Sequence, residues 1–333
     1  MTITDLYATY AYPANHTGLS NLPILVVMHG YGSGAFAASP ILERMASYGV
    51  FAVAPGMRGR DVAGGTPDSG GRELYDIYDV LAHVRSTFAS RVSTTRAGIV
   101  GYSGGGGNAL GCAAKFPDAF EVVVSHFGMS DYGEWTSTSD AWVGGDVTEI
   151  PDAYATRAYR ASVAQNFTGG HLWLYHDEDD VVVPVNNSTD VADAMATAGR
   201  TNYEISITDS GDAVRWIHGN PFIGNSGEPN IATEANWLSA LAAGTHTAWT
   251  VPTSGTVDVR GYIVTKRFEI WLGGTSRAAP GAGLDEVASV TYDTTTHSYT
   301  IAPSTGPTDV HITEGSLSAS ATGITTPTVL TAT

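Results

Sequence analysis

Residues 97–115 constrain the fold more than any other stretch of this chain. The apolar run Ala97-Gly98-Ile99-Val100 leads into Gly101-Tyr102-Ser103-Gly104-Gly105, and a helix-compatible segment, Asn108 to Lys115, follows. A β-type run, a G-x-S-x-G turn and then a helix form the pattern that presents a serine at a sharp strand-to-helix corner. The backbone at such a corner is strained, and side chains two residues to either side of the serine would collide, which accounts for the glycines. The corner holds Oγ out at the carboxyl end of a sheet. The helix N-terminus behind it favours developing negative charge. Among 39 glycines the short pattern also arises by chance, so its weight comes from the strand and helix that flank it.

The rest of the first 244 residues repeats that alternation. Strands are predicted at Ile24–Met28, Val50–Ala54, Ala97–Tyr102, Glu121–His126, His171–His176 and Tyr203–Thr208. Their apolar stretches point to burial on both faces, as crossover helices impose. Helices are predicted at Ser39–Tyr48, Arg72–Phe88, Gly104–Lys115, Ala153–Gln165, Val185–Ala198 and Ile231–Ala243. The predicted class is α/β, a doubly wound and mainly parallel sheet. After Ala243-Gly244 the texture becomes Thr-, Ser-, Gly- and Val-rich, with alternating segments at Arg267–Leu272, Val287–Tyr292 and Ser298–Ile301. That predicts a small all-β, sandwich-like module over 245–333, immunoglobulin- or fibronectin-like in texture. Its final stretch, from Ser316, reads as a last strand plus a loose tail.

Composition excludes several roles. The net charge is −17, and the chain has only two lysines, Lys115 and Lys266. Such a surface repels nucleic acid and anionic membranes. No apolar run approaches the roughly 20 residues of a membrane span. Met1 to Tyr12 has neither the basic nor the apolar region of a secretory leader. The single cysteine, Cys112, cannot form an internal disulfide and reads as a small buried residue.

A serine hydroxyl needs a base, and the base needs an orienting carboxylate. On this kind of corner the chain order is Ser, acid, His. Tyr175-His176 is followed by Asp177-Glu178-Asp179-Asp180-Val181-Val182-Val183-Pro184. Asp180 is the favoured acid, Asp177 and Asp179 are the alternatives, and the remaining acids read as a solvated turn. The carboxylates are adjacent on one loop and lack the spacing of a calcium loop, so no metal is expected. His218, in the loop after the strand at Tyr203–Thr208, is the expected base. His176 is its rival, His29 reads as structural, and His126 and His171 read as core or edge residues. The oxyanion donors expected are the Gly104 N–H and, from Met28-His29-Gly30-Tyr31-Gly32-Ser33-Gly34, the Tyr31 N–H. Phosphate cradling is disfavoured because the loop lacks a lysine, and no dinucleotide fingerprint follows the first strand, so no cofactor is expected.

With these positions in place, residues 20–243 resemble an α/β-hydrolase, and more narrowly the catalytic domain of the prolyl oligopeptidase family and dienelactone-hydrolase-like esterases. Arg58-Gly59-Arg60, the glycine-rich Ala63–Gly71 and Tyr75-Asp76-Ile77 are similar to that family's stretch before its first long helix. Phe127-Gly128-Met129-Ser130-Asp131-Tyr132 looks like its loop after the strand that follows the corner. Tyr159-Arg160-Ala161-Ser162 resembles the motif before its acid strand, and Asp180 to Pro184 fits its D-x-x-V-P pattern. The resemblance assigns Ser103, Asp180 and His218 the triad roles. Three departures stand out. The family's peptidases carry a large N-terminal propeller, whereas only Ile3–Tyr12 precede the hydrolase-like region here. Asp177 stands where a glycine is common, and Arg215-Trp216-Ile217-His218 is not the usual glycine–histidine run.

These features favour hydrolysis of a carboxylic ester, small or polymeric and including aromatic polyesters. Tyr31, Trp135 and Trp142 are candidate pocket residues, and the Tyr132–Tyr159 segment is read as a partial cap. The alternatives are an oligopeptidase or aminopeptidase-like activity, with Asp131 or Glu134 near enough in sequence to anchor a peptide amine, and a non-catalytic binding protein.

Overall fold

The computed structural model describes residues 6–15, 18–60, 63–135, 140–212, 215–218, 227–273 and 285–333. Its first sheet uses β1 (Ala8–Ala11), β2 (Leu22–Met28), β3 (Phe51–Pro55), β4 (Val92–Tyr102), β5 (Val122–His126), β6 (His171–Asp177) and β7 (Tyr203–Thr208). The order across the sheet is β1-β3-β2-β4-β5-β6-β7. All neighbours are parallel except β1, which runs antiparallel along β3 at the edge. The expectation missed β1, because Ala-Thr-Tyr-Ala carries little strand signal.

Between the strands lie α1 (Ser39–Ala46), α2 (Glu73–Thr87), α3 (Gly104–Lys115), α4 (Asp140–Val143), α5 (Pro151–Ala155), α6 (Arg160–Asn166), α7 (Asn186–Thr197) and α8 (Gly227–Ala243). The period-2 geometry of a strand sends alternate residues to opposite faces. On β2, Ile24, Val26 and Met28 join one core with Leu81 of α2, Leu110 of α3 and Val191 of α7. Leu25 and Val27 join the other core with Leu42 of α1 and Trp237 of α8. Both faces are covered, which is why the strand sequences are continuously apolar. The chain turns from β2 to β3 on one side and reaches β4 on the other. The loops after β2 and β4 therefore diverge, and a crevice opens at the carboxyl ends of the strands.

The predicted helix Ala153–Gln165 is broken into α5 and α6. Between them the Tyr159 N–H donates to the Ser130 carbonyl at 2.7 Å, and Ala158 bridges Asp131. A tertiary backbone contact there outweighs local helix propensity.

The second sheet is antiparallel: β8 (Ser254–Arg260), β9 (Tyr262–Val264), β10 (Glu269–Leu272), β11 (Val287–Asp293), β12 (Ser298–Pro303), β13 (Thr308–Glu314), β14 (Leu317–Ile324) and β15 (Thr328–Thr331), in the order β14-β13-β10-β9-β8-β11-β12-β15. It curls around its own core of Val257, Val259, Ile270, Val290, Ile301 and Ile312. Its two outer strands meet where the Ser318 N–H donates to the Thr333 carbonyl (3.3 Å) and the Thr333 N–H to the Ser318 carbonyl (3.1 Å). The stretch from Ser316 is therefore two strands, with no loose tail.

This sheet is docked on the first domain at the far end of α3 from Ser103. Tyr262 and Trp271 stack at 4.8 Å and pack on Tyr75 and Phe116. The Asn166 side chain donates to the Asp258 carbonyl (2.8 Å) and accepts its N–H (2.9 Å). Lys115 is buried in this interface, with its ammonium 4.6 Å from the centre of the Tyr262 ring, and its side chain makes no hydrogen bond among the described residues.

Burial, reinforced by Arg157 and Arg260 and opposed by Asp68 and Asp285, pushes the Lys115 ammonium down to about 7. The unfolded chain holds that proton up to about pH 10, so it binds more protons between the two values and stability rises with pH across that window. Lys115→Met is expected to melt higher than wild type near pH 7, with the gap closing as pH rises toward about 10. Melting curves at several pH values check this, and a pH-independent gap would contradict it.

Candidate active site

Ser103 sits between β4 and α3 with φ 56° and ψ −121°, a left-handed conformation that a non-glycine residue holds only when its surroundings enforce it. Its N–H donates to the His126 carbonyl at the end of β5 (3.0 Å), and its carbonyl accepts the Gly107 N–H (3.0 Å). Two glycines make the corner possible. A Cβ on Gly101 would lie 1.8 Å from the Gly105 carbonyl oxygen, and one on Gly105 would lie 2.3 Å from that of Met28.

Gly104 opens α3, so its N–H belongs to the first helical turn, whose donors lack intrahelical partners. Tyr31 follows β2 across the crevice. Its ring is buried, and its hydroxyl donates to Asn108 Oδ1 of α3 (3.0 Å) and contacts the Tyr132 hydroxyl. Burial, with Glu73 and Tyr132 nearby, raises that phenol well above its ordinary range, so it stays protonated. Trp135 and Trp142 lie 6.0 and 5.8 Å from the Tyr31 ring, with the Trp142 ring nearly parallel to it. The sequence reasoning missed what fixes this aromatic group. The Arg60 guanidinium lies 4.2 Å over Tyr31 and 4.9 Å over Trp142 and is neutralised by Glu73 at 2.6 Å. Only the residue's place in an Arg-Gly-Arg motif hinted at it. Tyr154 and Tyr159, from the segment read as a partial cap, are buried packing residues.

The acid run resolves into separate roles. Asp180 has a fully buried side chain. Its Oδ1 accepts the Val182 and Val183 N–H groups at 2.8 and 2.9 Å, and its Oδ2 lies 2.8 Å from His218 Nδ1. Burial alone would raise this carboxyl. Hydrogen bonds from His176, His218 and the Val183 N–H outweigh it and hold the group well below the carboxylate range. Asp177, one of the alternative acids, is buried and receives Thr208 Oγ1 (2.9 Å) and the Arg215 guanidinium. A buried carboxylate without such partners would be strongly unfavourable. Asp179 is exposed and takes a second contact from Arg215 at 2.7 Å.

His218 has its ring 4.8 Å from that of Phe127, which is itself left-handed at φ 40°. With the Nδ1–H donated to Asp180, Nε2 is left for proton transfer. Among the described residues the Ser103 hydroxyl makes no hydrogen bond to it; such contacts often tighten only around substrate. The other histidines do not compete. His176 is fully buried, with Nε2 2.9 Å from the Val183 carbonyl and 3.3 Å from Asp180 Oδ2, and with Nδ1 2.8 Å from Ser188 Oγ. It braces the acid. His126 stacks between Tyr102 and Tyr175, and burial pushes it down to about 3. His29 is buried against its own loop.

Glu134 is held by Arg160 (2.8 Å) and Asn186 (2.5 Å), and Asp131 accepts the Gly133 N–H (2.9 Å). No group of three or more metal-ligating side chains occurs among the described residues, and none of their helices is long and apolar enough to cross a membrane.

An imidazole oriented by a carboxylate, a strained serine and the N–H groups of a first helical turn, all at the carboxyl ends of the strands, are groups of the kind acyl transfer uses. Residues 41–214, more than half of the chain, match the prolyl oligopeptidase family, and the chain belongs to that family. Its fold is that of the α/β-hydrolase superfamily. Acylaminoacyl peptidase of Pyrococcus horikoshii is similar in fold (TM-score 0.58) at 18% identity over 74% of this chain and 40% of its own. Dipeptidyl peptidase 4 of Porphyromonas gingivalis matches at 0.57 and 19% over 70% and 33%. Esterase 2 of Thermogutta terrifontis matches at 0.52 and 19% over 69% and 86%. The chain thus spans about two fifths of the first of these peptidases. No curated protein is significantly similar to it.

Gly105→Ala tests the corner. In an open helix the change would stabilise by up to about 1 kcal/mol. Here the Met28 carbonyl stands in the way, and a loss of about 2–3 kcal/mol is expected. Denaturant titration reads the sign.

Proposed function

We propose that the chain is a carboxylic ester hydrolase with Ser103 as nucleophile, His218 as base and Asp180 as the orienting acid. The observation that carries this is the Asp180–His218 hydrogen bond beside the strained Ser103 corner. Ser103 Oγ attacks the acyl carbon as His218 Nε2 takes its proton, and the oxyanion forms against the Tyr31 and Gly104 N–H groups. Collapse expels the alkoxide, which His218 protonates. Water then attacks the acyl-enzyme by the same route and releases the acid. Asp180, held low, stays ionised throughout and keeps its hold on the imidazole.

Two observations favour an ester over a peptide. Glu134 and Asp131, the carboxylates near in sequence that a peptide amine would need, are already engaged. Tyr31 and Trp135 are buried, and the half-buried Trp142 ring beside them is the apolar face we assign to an aromatic acyl group, including that of a polyester. The overlap with most of the Thermogutta esterase's length agrees with this reading. We read residues 1–244 as the catalytic domain and 245–333 as the docked β-module.

The test is turnover of p-nitrophenyl acyl esters against aminoacyl p-nitroanilides. Ester turnover is expected to fall by about 10⁴-fold or more in Ser103→Ala and by about 10³–10⁴-fold in Asp180→Asn. Anilide turnover alone would move the assignment to a peptidase. Activity unchanged by Ser103→Ala would remove the site altogether.

A further inference from the structure

His218 lies on a connection between Thr208, the last residue of β7, and Gly227, the first of α8. A connection this long does not hold a catalytic side chain to a fraction of an ångström by itself, and among the described residues the ring contacts Asp180 and Phe127. The two residues that fix the loop stand just before His218. Arg215 Nε donates to Asp177 Oδ2 at 2.9 Å, and its Nη2 reaches both Asp177 Oδ1 and Asp179 Oδ2. The Trp216 N–H donates to Thr208 Oγ1 (2.9 Å), whose hydroxyl donates to Asp177 Oδ2 (2.9 Å). Trp216 Nε1 donates to Ser206 Oγ (2.9 Å), and its ring meets Tyr175 edge-on at 5.3 Å.

The spacing makes these contacts one device. Asp177 precedes Asp180 by three residues, and Arg215 precedes His218 by three. The acid turn and the histidine loop are therefore joined by two parallel rungs, a structural Asp177–Arg215 rung and the Asp180–His218 rung beside it. We infer that the Asp177–Arg215 rung is a positioning clamp that sets the reach and orientation of His218. The fork of a guanidinium on a buried carboxylate fixes direction as well as distance, which a single contact would not. Thr208 ties the rung to the end of β7, so the loop is referenced to the sheet that carries Ser103.

The inference rests on the triad reading, and the experiment separates the two. Wild type, Asp177→Asn, Arg215→Met and the double variant are assayed on a p-nitrophenyl ester, with Glu178→Gln as a control at an exposed position of the same turn. A fluorophosphonate probe reports whether Ser103 is reactive in wild type. Displacing a catalytic group by about 1 Å costs on the order of a hundredfold. We expect each single variant to lose about ten- to a hundredfold in kcat with little change in KM, the control to match wild type, and the double variant to lose no more than the worse single. A downfield Nδ1–H proton signal of His218, identified by its loss in His218→Ala, is expected in wild type and absent or broadened in Arg215→Met. A general structural role would instead lower the melting temperature and leave kcat per folded molecule unchanged. Should Arg215→Met fail to fold, Arg215→Lys keeps the charge without the fork, and a partial kcat loss at unchanged melting temperature is expected. Wild-type kcat in the folded variants, or losses that multiply in the double, would overturn the clamp alone. A wild type in which the probe does not label Ser103 would overturn the triad reading and the clamp with it.

Discussion

The first turn of α3 approaches the ends of β2 and β4 so closely that no methyl group fits between them at Gly101 or Gly105. The left-handed backbone of Ser103, the outward aim of its hydroxyl and the placement of the Gly104 N–H beside it all follow from this contact. The two cores flanking the sheet supply the force that keeps the corner closed, because both faces of β2 and β4 are buried. Strain at one residue is small beside the apolar burial of two helical layers, so the fold can hold a conformation that the local sequence would not choose.

The acid turn shows how polar groups come to be buried beside that corner at tolerable cost. Every carboxylate oxygen of Asp177 and Asp180 has a donor, from Thr208 and Arg215 in one case and from two backbone N–H groups and two histidines in the other. Buried charge is tolerated where it is fully bonded. The same bonding leaves these groups few alternative geometries.

Much of this was legible in the sequence, for definite reasons. Strands buried on both faces are continuous apolar runs, so their positions stood out, and β2 ends at Met28 as predicted. Ser103 was legible because its corner requires glycines at fixed spacing. Contacts between distant segments were not. Arg60 over Tyr31, and Arg215 on Asp177, join side chains whose sequence separation carries no periodicity. Asp177 looked like one more acid in a run of four, and only its burial sets it apart. Asp177 and the Arg215–His218 loop had appeared as separate departures from the family pattern, yet Asp177 and Arg215 prove to be partners. The break between α5 and α6 was hidden for the same reason, since the Ser130 carbonyl that causes it comes from another part of the chain.

The docking of the second sheet has a consequence for how the molecule is made. Tyr262 and Trp271 complete the packing around Tyr75 and Phe116, side chains that belong to the helical layer of the first sheet. A ribosome releases the chain from its N-terminus, so α2 and α3 emerge long before the residues that cover them. Until residue 271 has left the exit tunnel, Tyr75 and Phe116 lack the rings that pack on them, and Lys115 lacks the Tyr262 ring beside it. The nascent polypeptide thus passes through a stage in which the seven strands of the first sheet are present and the surface they leave uncovered awaits the second sheet.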